Sequence, residues 1–333
     1  MNLATPFRLV RRLRRFLAGP SREVEIDIFG RQTEACGRVL LLVRLYYVAL
    51  SYFAVTLLPE WTGFLRHPGL DPLWPVAWLP RFSDDLGRGA ILSLYLGGTI
   101  LASFAPGSRL ARILAWLGLF EFVAFNNSFG KIGHSLHACV LTGFVLIFLP
   151  SGDRRESRLW RQSTLQVFWL AQLVFLLVYS MAGLGKACGF FYQLFTGQMT
   201  LLDPHSFAAQ VAERLLQTDS QSSLGDWLIR WYWVGWPFYV GMVYIQFFSV
   251  WAAFRPRLLR PWALALVLFH VGSYFIFTII FAPNILLIGL FLLAAPGARR
   301  LDLGARYWGD LPLVGPLLRR FLPGLTREAP CAS

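Results

Sequence analysis

The sequence predicts an all-α integral membrane protein, a helical bundle of about eight transmembrane helices with both termini in the cytoplasm. Its composition is 56% hydrophobic and only 15% charged, and the mean hydropathy is +0.52, which excludes an ordinary soluble domain. Eight apolar segments approach the length of about 20 residues that crosses a bilayer. Arginines also gather in every second loop between these segments, as they do in multi-pass membrane proteins.

The chain divides into three predicted regions. Residues 1–37 are basic and their apolar residues recur at helical spacing, so they form either an amphipathic helix on an anionic cytoplasmic surface or a disordered basic tail. No apolar run of signal-peptide length precedes Gly19-Pro20, so we expect no signal peptide. Residues 38–298 hold the apolar segments, and residues 299–333 form a basic cytoplasmic tail.

The transmembrane region is predicted to contain eight spans. They lie at about residues 38–58, 88–105, 110–127, 134–150, 164–185, 229–254, 262–281 and 283–298. Only Ala282-Pro283-Asn284 separates the last two, so one kinked or re-entrant unit, and hence seven spans, is the alternative. Seven spans would put Arg299 and Arg300 outside, so eight spans are favoured.

The charges in the loops predict the orientation of the chain. Arginines follow the second, fourth, sixth and eighth segments, namely Arg109, Arg112, Arg154, Arg155, Arg158, Arg161, Arg255, Arg257, Arg260, Arg299, Arg300 and Arg306. An amino terminus inside the cell puts these clusters in the cytoplasm and both lysines outside. Topology thus explains the net charge of +13, so we expect the lipid bilayer, and no nucleic acid, as a partner. A bacterial inner membrane fits this pattern best.

One outer loop contains a predicted surface helix at Ser206–Gln217. Helical spacing places Ala208, Val211, Leu215 and Leu216 on one face of it. We expect this helix to pack over the bundle without a chemical role.

The stretch Val178–Thr200 holds the strongest candidate for chemistry. The helix is predicted to break at Gly183 and Gly185, which leaves Lys186 at the boundary between membrane and water. Lys186 and Lys131 are the only lysines in the chain, against 29 arginines. Either the chain simply favours arginine, or a lysine is needed because it can lose its proton when desolvated, whereas an arginine cannot. The second interpretation makes Lys186 a candidate general base.

Other polar side chains lie in or beside the predicted spans. His134 and His137 are three residues apart, on one face of the fourth span, and a histidine in a span is most often a hydrogen-bonding partner of another helix. Together with His270 they suggest a metal site, but the spans lack a carboxylate to complete it except Glu121, and the chain has no CxxC motif, so no metal is expected. The topology puts Lys131, His134 and Lys186 at one outer level, which predicts a shared cavity.

Three short motifs resemble those of a known family. They are AGLGK at Ala182–Lys186 with a later Gly197, GHSLH at Gly133–His137 followed by FLPSGD at Phe148–Asp153, and Phe269-His270 after an Arg-Pro loop. In their order along the chain, over about residues 38–298, they resemble the horizontally transferred transmembrane (HTTM) domain family. That family includes the membrane core of vitamin K-dependent gamma-carboxylase.

The resemblance implies an activity and a set of site residues. Lys186 would be the base that deprotonates a quinol, with His134 and His270 as the other catalytic residues. The side chains expected to bind the substrate are those of Lys131, Ser135, His137 and Gln246. An apolar cavity on the outer face suits a hydroquinone or another lipid-soluble molecule, and no other cofactor is expected.

The chain also departs from the family pattern. Gly185 stands where the family has a second lysine, the Phe190–Phe195 region replaces a tryptophan, and Gln246 replaces an acidic residue. The chain ends 35 residues after its last predicted span, without the lumenal domain of the carboxylase, so protein carboxylation itself is not expected. The alternatives are a non-catalytic partner or assembly subunit and, less favoured because repeats are absent, a small-molecule transporter.

Overall fold

The structure is a computed structural model that describes residues 32–56, 70–82, 84–130, 132–152, 154, 157–298 and 305–321. Within these ranges all regular secondary structure is helical, so the predicted all-α class is confirmed. The predicted basic helix before residue 32 and the candidate Lys131 lie outside the described residues.

Thirteen α-helices make up the described chain. They are α1 (Gln32–Thr56), α2 (Asp84–Phe104), α3 (Arg109–Asn126), α4 (His137–Leu146), α5 (Arg158–Phe195), α6 (Ser206–Thr218), α7 (Ser223–Arg230), α8 (Tyr232–Phe247), α9 (Ser249–Ala252), α10 (Leu259–Phe277), α11 (Ala282–Leu287), α12 (Ala305–Asp310) and α13 (Val314–Phe321). Two short 3₁₀ turns lie at Trp74–Val76 and Leu79–Arg81, and α11 continues as a π-helical stretch, Ile288–Leu293.

Four of the helices, α1, α2, α5 and α10, are long and apolar enough to cross a membrane. They support a multi-pass membrane protein. The other four predicted spans also coincide with helices, but these helices are shorter or more charged. For example, α4 has 10 residues, about 15 Å of helix, which is half of the hydrocarbon core.

The predicted helix break at Gly183 and Gly185 is wrong, because α5 runs without interruption from Arg158 to Phe195. Gly183 serves helix packing instead. A Cβ atom at this position would collide with the backbone of Phe247 in α8, so only glycine lets the two helices approach this closely. Lys186 therefore lies within a helix and not at its end.

The predicted break between the last two spans is displaced. Helix α10 ends at Phe277, and Thr278 adopts a left-handed conformation with φ of 59°. Helix α11 then begins at Ala282, so Pro283 lies in its first turn, where the missing N–H of proline has no helical partner to lose. The break thus precedes the Ala-Pro-Asn sequence that predicted it.

The chain forms two compact units. The first runs to Phe175 and includes residues 294–296. In it, α2 and α3 cross at Gly98 and Gly118, where a Cβ atom on either glycine would meet the backbone of the other helix. Arg112, predicted as a loop arginine, is completely buried in the first turn of α3 and donates to the carbonyls of Pro106 and Leu149. Its role is structural.

The second unit begins at Leu176 and contains the rest of α5, helices α6–α11 and the described part of the tail. The hydroxyl of Ser180 accepts a hydrogen bond from the backbone N–H of Val250 at 2.8 Å, and the Trp262 indole donates to the Ile245 carbonyl at 3.2 Å. These bonds fasten α5 and α10 to the region of α8 and α9. This unit contains Lys186, His270 and Gln246.

The predicted surface helix is present as α6. Its residues Phe207, Val211 and Leu215 are buried against Leu228 of α7, as its apolar spacing indicated. Leu216 is the exception, because 83% of its surface is exposed. The buried apolar face of α6 is therefore narrower than the face that the sequence predicted.

Candidate functional site

Lys186 lines a cavity of about 430 Å³ in the second unit. The cavity is formed by α5, the loop after it, α6 and α8, with the lining residues Lys186, Gly189, Gln193, Gln198, Met199, Thr200, Leu201, Ser206, Ala209, Gln210, Glu213 and Tyr239. Most of these side chains are polar. The lining thus mixes polar groups with apolar surface, and so agrees only in part with the expected apolar cavity.

Helical periodicity brings these residues together. Because α5 continues past Gly185, Gly189 and Gln193 follow Lys186 on the same face. In α6 the lining residues Gln210 and Glu213 lie on the face opposite to its buried apolar stripe. The continuity of α5 thus creates this site, which a helix ending at Lys186 would not.

Lys186 is exposed, and no hydrogen bond or ion pair joins it to any other described residue. Glu213 is the only acidic side chain among the lining residues, and it already accepts a hydrogen bond from the Gln217 amide at 2.9 Å. The Lys186 amine is therefore available to a ligand that enters the cavity.

Tyr239 and Ser206, two residues of the cavity lining, carry hydroxyl groups. The Tyr239 hydroxyl accepts from the Gln210 amide at 2.6 Å, which leaves its own proton for another acceptor. Ser206 is buried, and its hydroxyl has no hydrogen-bond partner among the described residues. The cavity can therefore donate to an oxygen-bearing group.

Apolar side chains are exposed along the same part of the chain. Phe191, Leu194 and Phe195 project from the last turns of α5, and Met199 and Leu202 follow in the loop. In a membrane such side chains would meet lipid. A polar cavity beside exposed apolar side chains suits a ligand with a polar head and an apolar tail.

His134 and His137 form a polar cluster in the first unit. The backbone N–H of Gly133 donates to Asn127 Oδ1 at 2.8 Å, which orients the amide Nδ2 toward His137 Nε2 at 3.3 Å. Because Nδ2 can only donate, His137 Nε2 accepts, and Nδ1 carries the proton and points at His134 Nδ1, 3.2 Å away. His134 precedes α4, so the pair meets through a turn and not along a helical face as predicted.

Ser135 lines a separate, smaller cavity in the first unit. This cavity measures about 140 Å³ and also includes the side chains of Asn126 and Asn127. Asn126 Oδ1 is buried without a hydrogen-bond partner among the described residues. The space suits a few water molecules, which would satisfy that oxygen.

His270 and Gln246 are buried in the second unit, away from the lining of the Lys186 cavity. His270 Nε2 lies 2.6 Å from the Tyr179 hydroxyl, and the imidazole packs near the ring of Phe281. His270 Nδ1 and Gln246 Oε1 have no hydrogen-bond partner among the described residues. The cavity thus brings together Lys186 and residues of α6 and α8, but not His270 or Gln246.

No group of three or more His, Cys, Asp or Glu side chains suited to a metal occurs within the described ranges. The residues that sequence reasoning missed are Gln193, Gln210, Glu213 and Tyr239. The polar face of α6 is a signal for two of them, Gln210 and Glu213, whereas its apolar face indicates only packing. Tyr239 carries no signal in the sequence, since only the packing of α8 brings it to Lys186.

Comparisons with protein-family models, with curated proteins and with solved structures find no match to this chain.

Proposed function

We propose that this chain is an HTTM-type membrane enzyme that binds the polar head of a lipid-soluble quinol in the Lys186 cavity and uses Lys186 as a base. The observation that carries the proposal is a lysine that bonds to no other described residue, in a cavity of about 430 Å³ that also holds hydroxyl and amide groups. In the proposed topology the chain has eight spans, cytoplasmic termini and an outer location for Lys186, in a bacterial inner membrane.

The proposed step is a proton transfer. The quinol O–H bond breaks, its proton moves to the Lys186 nitrogen, and a quinolate and an ammonium form. The Tyr239 hydroxyl, whose proton is not used by Gln210, can donate to the quinolate oxygen. The quinolate then gives two electrons and its remaining proton to oxygen, and the Lys186 ammonium returns the other proton to the reduced oxygen. Quinone, hydrogen peroxide and the neutral amine result.

Lysine suits this role only when it is neutral. In the protein alone Lys186 is exposed. Binding of the quinol and contact with lipid would therefore remove water from the amine, which favours its neutral form. Arginine would keep the positive charge but could not accept a proton. The proposal leaves His270 a role in packing, because it does not line the cavity.

The test is quinol binding and oxygen consumption by the full chain in lipid nanodiscs, with a short-chain hydroquinone. Lys186→Ala and Lys186→Arg should lower oxygen consumption by about a hundredfold or more, the usual effect of losing a general base. Lys186→Arg should retain binding, since the guanidinium can still donate hydrogen bonds to a quinol oxygen.

Arg230→Lys is the matched control, because Arg230 is an exposed cation of the same unit outside the cavity. It should behave like the wild type. Equal rates in the wild type and in Lys186→Arg would refute the base. Binding of hydroquinone without any oxygen consumption would favour the non-catalytic alternative.

A further inference from the structure

The described end of the chain forms a short amphipathic element. After α12, residues 311–313 turn the chain into α13, which has the sequence VGPLLRRF. Leu317 and Phe321 are spaced by four residues and therefore share one face of α13, and Leu313, with φ of 60°, lies in the turn just before the helix. Leu313, Leu317 and Phe321 are 64%, 57% and 69% exposed, so the described residues leave most of these three side chains uncovered.

This element is fixed to the second unit at specific points. The Tyr244 hydroxyl donates to the Pro312 carbonyl at 2.6 Å, and the Trp251 indole donates to the Asp310 carbonyl at 3.0 Å. Arg257 lies 4.0 Å from the Asp310 carboxylate. The start of α13 is therefore held beside the end of α8 and α9.

The surrounding residues are those of a membrane interface. Trp251 carries the Arg255 guanidinium over its ring at 5.2 Å, and Trp308 of α12 is exposed. Tryptophan and arginine both prefer the headgroup level, where one end of the side chain meets apolar tails and the other meets water or phosphate. The side chains around the element are thus of the types that prefer the headgroup level of a membrane.

We infer that α13 docks on the anionic phospholipid surface of the membrane that the chain crosses. Leu313, Leu317 and Phe321 enter the boundary between headgroups and acyl chains, while the exposed Arg320 meets the phosphates. A second copy of the chain is a poorer occupant, because three apolar side chains fall well short of the roughly 800 Å² per partner that a stable interface needs.

The test uses the full chain in vesicles of zwitterionic lipid alone or mixed with anionic phosphatidylglycerol. A nitrobenzoxadiazole label is placed at Leu317→Cys after Cys188 and Cys331 have been replaced by serine. Its reduction by dithionite is compared with that of a label at Ser157→Cys, an exposed position on the same predicted side. In anionic vesicles we expect the label at position 317 to be reduced several-fold more slowly.

The charge contribution is tested by Arg320→Glu. In anionic vesicles this substitution should raise the rate at which dithionite reduces the label at position 317 by about fivefold, because one basic residue near such a surface contributes about that factor to binding. In zwitterionic vesicles the rate should change little. A label at Leu313→Cys should show the same protection as the label at position 317. Agreement between the two labels shows that the result does not come from misfolding of one variant.

Two results would overturn the inference. Equal reduction rates at positions 317 and 157 in both vesicle types would show that α13 faces water. Protection that depends on the ratio of protein to lipid, and is the same in both lipids, would assign the face to a second copy of the chain.

Discussion

At the scale of single residues, two glycines of the AGLGK sequence have different roles. Gly183 allows α5 to touch the backbone of α8 at Phe247, whereas a Cβ atom at Gly185 would have nothing within 4 Å. The sequence alone makes the two look equivalent, since both interrupt an apolar run. Only the packing of α8 distinguishes them.

Gly183→Ala should therefore lower the stability by about 1–3 kcal/mol, because the added methyl group must push two backbones apart. Gly185→Ala should be neutral or stabilising by up to about 1 kcal/mol, the difference in helix propensity. The measurement is the thermal unfolding midpoint of each purified variant in the same detergent. Equal midpoints for the two variants would contradict the close contact.

The Tyr179–His270 hydrogen bond predicts a second residue-level effect. Tyr179→Phe leaves a nitrogen of a buried imidazole without its 2.6 Å partner, which should cost about 1–3 kcal/mol. Tyr192→Phe, at an exposed tyrosine of the same helix α5, is the control and should change the midpoint little. A similar midpoint for both variants would argue against the hydrogen bond.

At the scale of elements, the sequence predicts where the helices lie more accurately than where they end. Each of the eight apolar segments coincides with a helix, because a run of apolar residues free of charge is typical of a helix in lipid. The ends differ where the expected breaker is tolerated, as at Gly183, or where a residue without turn propensity stops the helix, as at Thr278. Tertiary contacts decide both cases.

Helix α6 allows a direct test of which face is buried. Leu215 and Leu216 are adjacent and chemically identical, but they are 8% and 83% exposed. Leu215→Ala should destabilise by about 2–5 kcal/mol, since it opens a cavity against Leu228.

Leu216→Ala provides the matched control and should stay within about 0.5 kcal/mol of the wild type. Chemical denaturation followed by circular dichroism would measure both variants. A larger loss for Leu216→Ala would mean that α6 packs with the opposite rotation.

At the scale of the whole molecule, the number of spans depends on the shortest helices. Four helices have the length and composition of spans, and α4, with 10 residues, is the weakest of the rest. The proposed eight spans require the chain to cross the membrane between Ile132 and Ser151, which both lie exposed outside α4.

Cysteine labelling tests this crossing. In a background without Cys188 and Cys331, Ile132→Cys should react with a membrane-impermeant maleimide in intact cells, and Ser151→Cys only after permeabilisation. The reason is that arginine-rich loops remain in the cytoplasm. Labelling of both positions from the same side would mean that α4 does not cross and would contradict eight spans.

The sequence by itself determined the class of protein, the positions of its helices and the choice of Lys186 as the candidate base. Composition and loop charge suffice for this, because the bilayer imposes the same length and polarity on any spanning helix. The tertiary structure alone decided what surrounds Lys186. Gln193, Gln210, Glu213 and Tyr239 come from three helices, and His270 is buried elsewhere. Such a site depends on how helices pack against each other, which helical periodicity does not specify.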